Sequence, residues 1–359
     1  MAKPGFRLAL FATLLALIVV LLGAYTRLTH AGLGCPDWPG CYGFISVPNS
    51  EAQLAHAERH FPDTPVEAHK GWNEMIHRYF AGTLGLLIVL LAARSWTHRQ
   101  HPGQPLKLPL FLLSVVLAQA LFGMWTVTLK LWPQVVTAHL LGGFATLSLL
   151  FLLTLRLSGV LPALVVPRRL QYWATAGLVL VIGQIALGGW VSSNYAAVAC
   201  LDLPTCHGQW WPAADFANGF HLTQHIGPNY LGGQLDSDAR TAIHLTHRLG
   251  ALLVTLVLLG LAWQLKHVGM TRLAGLVLVA LAAQIGLGVS NVLFHLPLPV
   301  AVAHNAGGAV LLLTLVLVNY HARTSLVRSR SRLPLGWRLS PRKHAAGPIT
   351  LKGEMPWRL

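Results

Sequence analysis

The sequence predicts an all-α integral membrane protein with eight transmembrane helices arranged as two tandem four-helix bundles. Three observations carry that expectation. Of 359 residues, 54% are hydrophobic and only 10% charged, with a mean hydropathy of +0.56, a balance rarely met in a soluble chain of this length. Apolar runs long enough to cross a bilayer, which takes about 20 residues, recur eight times. The second half of the chain also repeats the first.

The apolar runs fall at 8–26, 76–93, 108–129, 135–155, 172–191, 242–262, 272–293 and 301–320. Lys3 and Arg7 precede the first, as in a signal peptide, but no small-x-small cleavage site follows, and the segment has a counterpart later in the chain. An even number of spans puts both termini on one side. Taking that side as the cytoplasm places 19 Lys/Arg inside and 7 outside, the asymmetry expected of a multi-pass protein of the bacterial cytoplasmic (inner) membrane. Ten of the eleven acidic residues fall outside. The net charge of +15 therefore reports topology and not nucleic-acid binding. The basic tail, 323–359, reads as a disordered segment attracted to anionic membrane lipid.

The repeat is specific. Cys35 and Cys41 recur 165 residues later as Cys200 and Cys206, each pair spaced C-x5-C around a proline. LAQALFGMWTVTLKLWPQVVTAHLLGG at 117–143 answers to LAAQIGLGVSNVLFHLPLPVAVAHNAGG at 281–308, and MIHRYFAGTLGLL to LTHRLGALLVTLV. The expected division is an N-terminal bundle over 1–160 and a C-terminal bundle over 161–322, in one orientation. Both cysteine pairs follow the outer end of an odd-numbered span, where an oxidising compartment suits disulfides; C-x5-C is not a common zinc spacing. Such a loop is expected to sit rigidly over the mouth of its bundle, with Pro36 and Pro39 fixing the backbone and Gly34 and Gly40 allowing the turns.

Among 18 histidines, four stand apart. His77, His139, His247 and His304 each fall within about the first two turns of an even-numbered span entering from the outer side, two per bundle at similar depth. Zinc would want further N, S or O ligands, and only Glu74 and His244 offer one. Facing imidazoles suffice for a haem iron in a helical bundle. Gly142, Gly250 and Gly307 follow His139, His247 and His304 by three residues and are expected to let a flat macrocycle approach the backbone, whereas Gly82 and Gly85 are less well placed after His77. A single such histidine would more simply hydrogen-bond between helices; the fourfold pattern favours haem. The remaining loop histidines, among them His56, His60, His69, His221 and His225, read as solvated.

Arg27, Arg78 and Arg248 lie at the same outer level, as partners for haem propionates or as snorkelling interface residues. Q-x3-G recurs at Gln119, Gln184 and Gln284 and reads as close helix packing. The halves differ where Glu74, three residues before His77, is answered by His244 before His247. A desolvated carboxylate there could move protons or stabilise developing positive charge, or be a glutamate favoured by the helix dipole.

GAYTRLTHAGLGCPDWPGC, the E-x-x-H-R of Glu74 to Arg78, TAH in span four, THR in span six and AHN in span eight together resemble the haem A synthase family of cytochrome oxidase assembly, over about residues 8–320. The resemblance implies an enzyme that oxidises a ring methyl of haem O to a formyl group, by successive hydroxylations and loss of water. It implies a substrate haem between His77 and His139, a haem b cofactor between His247 and His304, Glu74 as the carboxylate of the oxidation, and outer-loop pairs Cys35–Cys41 and Cys200–Cys206 that either brace the loops or take part in redox transfer. Expected partners are haem O, an electron donor that the sequence does not identify, haem O synthase, oxidase assembly factors and further copies of the chain. The competing readings are a dihaem b-type membrane electron-transfer protein without hydroxylase activity and a haem carrier or export subunit.

Overall fold

Apolar runs of this length satisfy their backbone hydrogen bonds only as helices once inside lipid, and helices are what the chain forms. A computed structural model describes residues 2–159 and 166–331, with side chains described as far as Arg323. Ten helices occur among them: α1 (Phe6–Leu28), α2 (Glu51–His60), α3 (Ala68–Thr97), α4 (Lys107–Thr128), α5 (Pro133–Leu157), α6 (Arg168–Ser193), α7 (Phe216–Gly219), α8 (Ser237–His267), α9 (Thr271–Leu293) and α10 (Leu298–Ser331). All but α2 and α7 are long and apolar enough to span a membrane, making eight, and no strand is present among the described residues. The expected division at 160/161 and the tail beyond Ser331 lie outside the described residues.

Every spanning helix begins ahead of its apolar run, and α3 and α8 do so by the most. Helix α3 starts at Ala68 and α8 at Ser237, because polar turns precede the apolar stretch and α8 is capped by Asp236, whose carboxylate accepts the Ala239 N–H at 2.9 Å. His77 and His247 therefore lie in the third turn of their helices, not within the first two.

Helices α1, α3, α4 and α5 close a ring of mutual contacts, α1–α3–α4–α5–α1, and α6, α8, α9 and α10 close a second in the same order. The rings meet where α1 and α5 pack on α6 and α10. One continuous core joins them, with Leu147, Leu150 and Leu153 of α5 and Leu258, Leu261 and Leu315 of the second ring fully or almost fully buried. The turns repeat as well: left-handed His30, Lys130 and Leu131 recur as Tyr195, His295 and Leu296, each 165 residues on.

Cys35–Cys41 and Cys200–Cys206 are disulfides. The first closed loop lies against the flank of α3. A Cβ on Gly34 would come within 2.5 Å of the Lys70 carbonyl carbon, and one on Gly40 within 2.4 Å of the Phe44 oxygen. Neither glycine has a positive φ, and both serve close approach of the backbone, while the Gly34 N–H also closes a turn on the Ala31 carbonyl at 3.0 Å. Gly34→Ala is expected to push the loop off α3 and cost about 1–3 kcal/mol, lowering the thermal midpoint of the protein in detergent. Gly85→Ala, where a Cβ would meet nothing within 4 Å, should leave the midpoint unchanged.

Candidate functional site

The four histidines come together as the repeat requires. His139 on α5 lies within electrostatic reach of His77 on α3, and His247 on α8 within reach of His304 on α10. All four rings are half-buried. Each is seated against a glycine of a neighbouring helix: a Cβ on Gly23, Gly123, Gly188 or Gly288 would stand 3.0, 3.2, 3.3 or 3.1 Å from Cε1 of His77, His139, His247 or His304. Nδ1 of His77, His139 and His304 is buried with no hydrogen-bond partner among the described residues.

The glycines expected to face a macrocycle do something else. A Cβ on Gly142, Gly250 or Gly307 would fall 2.0, 2.2 or 2.2 Å from Oε1 of Gln119, Gln184 or Gln284. Those notches are filled by amides, which also bond the histidine segments: Gln119 Nε2 donates to the His139 carbonyl at 2.5 Å and Gln184 Nε2 to that of His247 at 2.8 Å. Histidine fills the glycine of Q-x3-G while glutamine fills the glycine of H-x2-G, so close packing is the role of that motif. The α1–α3 seam is the exception, with Val19 in the glutamine position and Phe80 in the glycine position.

Glu74 is 5% exposed, and both carboxylate oxygens are engaged. Oε2 accepts the Cys35 N–H at 3.0 Å, and Oε1 pairs with the Arg78 guanidinium. Arg78 Nη1 donates to the carbonyls of Asp37 at 3.0 Å and of Gly40, so one cation ties carboxylate and loop together. In the second ring Arg248 clasps its own loop through the carbonyls of Thr205 at 2.8 Å and Cys200 at 3.1 Å, without a carboxylate. His244, in the place of Glu74, has its Nδ1 2.9 Å from the Ala196 carbonyl oxygen. Arg27 donates to the Ser192 carbonyl and lies 4.0 Å from the centroid of the Tyr195 ring.

Each closed loop is also locked by an aspartate. Asp37 accepts the N–H groups of Tyr42 at 2.6 Å and Gly43 at 2.8 Å. In the second loop the Thr205 hydroxyl, then the Gly208 and His207 N–H groups, hold the Asp202 carboxyl down at about 2. A depressed carboxyl stabilises above its ordinary range and loses that contribution only as the pH falls toward 2, so the lock holds at any physiological pH.

Sequence reasoning missed the four glycine seats and Tyr195. Three of the seats were visible as the last residue of Q-x3-G; Gly23 has no such flag. His56 and His60 stack at 4.0 Å on α2, and no cluster of three or more His, Cys, Asp or Glu suited to a bare metal ion occurs among the described residues.

Comparison with known proteins gives this geometry a family. The profile described as Cytochrome oxidase assembly protein matches residues 6–316. A haem A synthase of Shewanella oneidensis is 49% identical over 310 residues, covering 85% of this chain and 92% of that protein. One of Paracoccus denitrificans is 31% identical over 363 residues, covering 90% and 89%. One of Shouchella clausii is 26% identical over 308 residues, covering 82% and 89%. The chain belongs to the cytochrome oxidase assembly protein family.

Proposed function

We propose that this chain is a multi-pass membrane haem oxidoreductase that oxidises a ring methyl of haem O to a formyl group, giving haem A for cytochrome oxidase. Family membership supports the reaction. The observation that carries the site is the pairing of four glycine-seated imidazoles, two to a ring, three of them with a buried Nδ1 that has no hydrogen-bond partner among the described residues. An unpaired buried polar atom costs about 1–3 kcal/mol, and an iron on the same imidazole offsets such a cost. A bare ion would want more donors than each pair offers.

The first ring, the bundle over 1–160, takes haem O between His77 and His139. The second, over 161–322, holds haem b between His247 and His304, and the bound haem there supplies a one-electron redox centre. The chain's own residues orient both groups through the glycine seats, which fix each imidazole edge-on. Glu74 is buried at the first site and held by Arg78 and the Cys35 N–H. Its fixed charge stabilises positive charge developing at the substrate carbon or accepts the proton released there. The disulfide-closed loop covers this flank of α3 and keeps water from the carboxylate.

Both termini lie in the cytoplasm of a bacterium and both sites open toward the outer side of the inner membrane, on the charge asymmetry of the loops. Haem O synthase as supplier, assembly factors as acceptors, an electron donor and self-association complete this reading. The near-equivalence of the two seats would equally suit a dihaem electron-transfer protein. The replacement of Glu74 by His244, tied to a backbone carbonyl, argues for chemistry in the first ring alone.

Glu74→Ala is expected to abolish haem A formation while the second-ring haem stays bound. Haem extraction and chromatography from membranes supplied with haem O read both at once, and undiminished haem A would remove Glu74 from the reaction. His247→Ala or His304→Ala should strip the tightly held haem from purified protein, seen as loss of its Soret band. An unaltered spectrum in either variant would contradict the cofactor assignment.

A further inference from the structure

One side chain crosses from the first ring to the second at their outer ends. Arg27 follows Gly23, the seat of His77, by one helical turn, and its guanidinium donates to the carbonyl of Ser192, which follows Gly188, the seat of His247, by the same interval. The guanidinium then lies over the ring of Tyr195, which also stacks on His30 at 5.5 Å with the planes 11° apart. The hydrogen bond and the ring contact both take the cation to the outer end of α6, in the second ring. Nearby, the Thr137 and Ser193 hydroxyls meet at 3.1 Å across the same seam, so the crossing is fixed from both sides.

Two donors at this seam remain unspent. Arg27 Nε is buried without a hydrogen-bond partner among the described residues, and the Tyr195 hydroxyl is buried without a well-directed one. Arg248, directly after His247, keeps a third such donor in its buried Nε. Buried donors left unpaired are costly, and a guanidinium edge beside a phenol hydroxyl matches the lone pairs of a carboxylate. Arg78 is occupied differently, with its Nη groups on Glu74 and on loop carbonyls.

We infer that Arg27 from the first ring and Tyr195 from the second form a carboxylate seat at the seam, for a propionate of the haem held by His247 and His304. This rests on the haem reading above and goes beyond it in one respect: the cofactor site of the second ring is completed by a residue of the first. The grip on the cofactor then depends on how the rings sit against each other.

The test is haem loss from the purified holoprotein to excess apomyoglobin, followed at the Soret band. Arg27→Gln should release haem about ten-fold faster or more, the loss of a charge-assisted contact, with Arg27→Lys restoring part of the grip. Tyr195→Phe keeps the ring that stacks on His30 and Arg27 and removes only the hydroxyl, so it folds normally and should release haem several-fold faster. Release rates equal to wild type in both Arg27→Gln and Tyr195→Phe would overturn the inference. Wild-type protein that holds no haem would overturn the underlying site reading instead, so the two failures are distinguishable.

Discussion

An imidazole inside an apolar helix has two ring nitrogens to satisfy and almost no polar neighbours with which to do it. Everything else in this structure follows from how four such rings are held. Each presents its Cε1 edge to a glycine of the next helix, at 3.0–3.3 Å from where a side chain would begin, so only glycine leaves room for the ring. In three of the four seams a glutamine locks the reciprocal notch, which fixes the helix register and the ring together. Held this way, the rings of each pair are available to one another and to whatever lies between them.

The two rings of helices differ where chemistry demands it. Both disulfide-closed loops are clasped by an arginine that follows a histidine, and both are locked by an aspartate. Only the first couples that clasp to a carboxylate, through Arg78 and Glu74. On the function proposed above, a repeated unit with a buried carboxylate in one copy alone would let a single chain hold a redox centre in one half and a substrate in the other. The seam at Arg27 and Tyr195 is where the halves meet at the level of the sites.

The spans, their number and their repeat were legible in the sequence because lipid allows so few solutions: a run of apolar residues of this length must be helical. Helix starts were not, since the polar turns opening α3 and α8 carry no hydropathy signal, and His77 and His247 lie in the third turn of their helices as a result. The histidines were legible as a fourfold pattern, but the pairing of Arg78 with Glu74 was not, since Arg78 reads along the chain as a propionate partner or a snorkelling residue. The seats of the histidines were not legible either. Three of the histidines carry a glycine three residues on along their own helix, but Gly142, Gly250 and Gly307 receive glutamines and the seating glycines come from neighbours. Contacts across helices leave no local trace, and for the same reason neither the reach of Arg27 to Ser192 nor the role of Tyr195 could be read along the chain.

On the proposed function, each ring of helices would hold one haem through its pair of histidines, His77 with His139 and His247 with His304. Haem titration of the purified protein, followed by optical and electron paramagnetic resonance spectroscopy, tests it most directly. The account predicts saturation at two haems per chain, both low-spin with bis-histidine signatures, and only one when His77 or His139 is replaced by alanine. A chain that stays colourless, or that binds haem only in a high-spin form indifferent to these histidines, would contradict it.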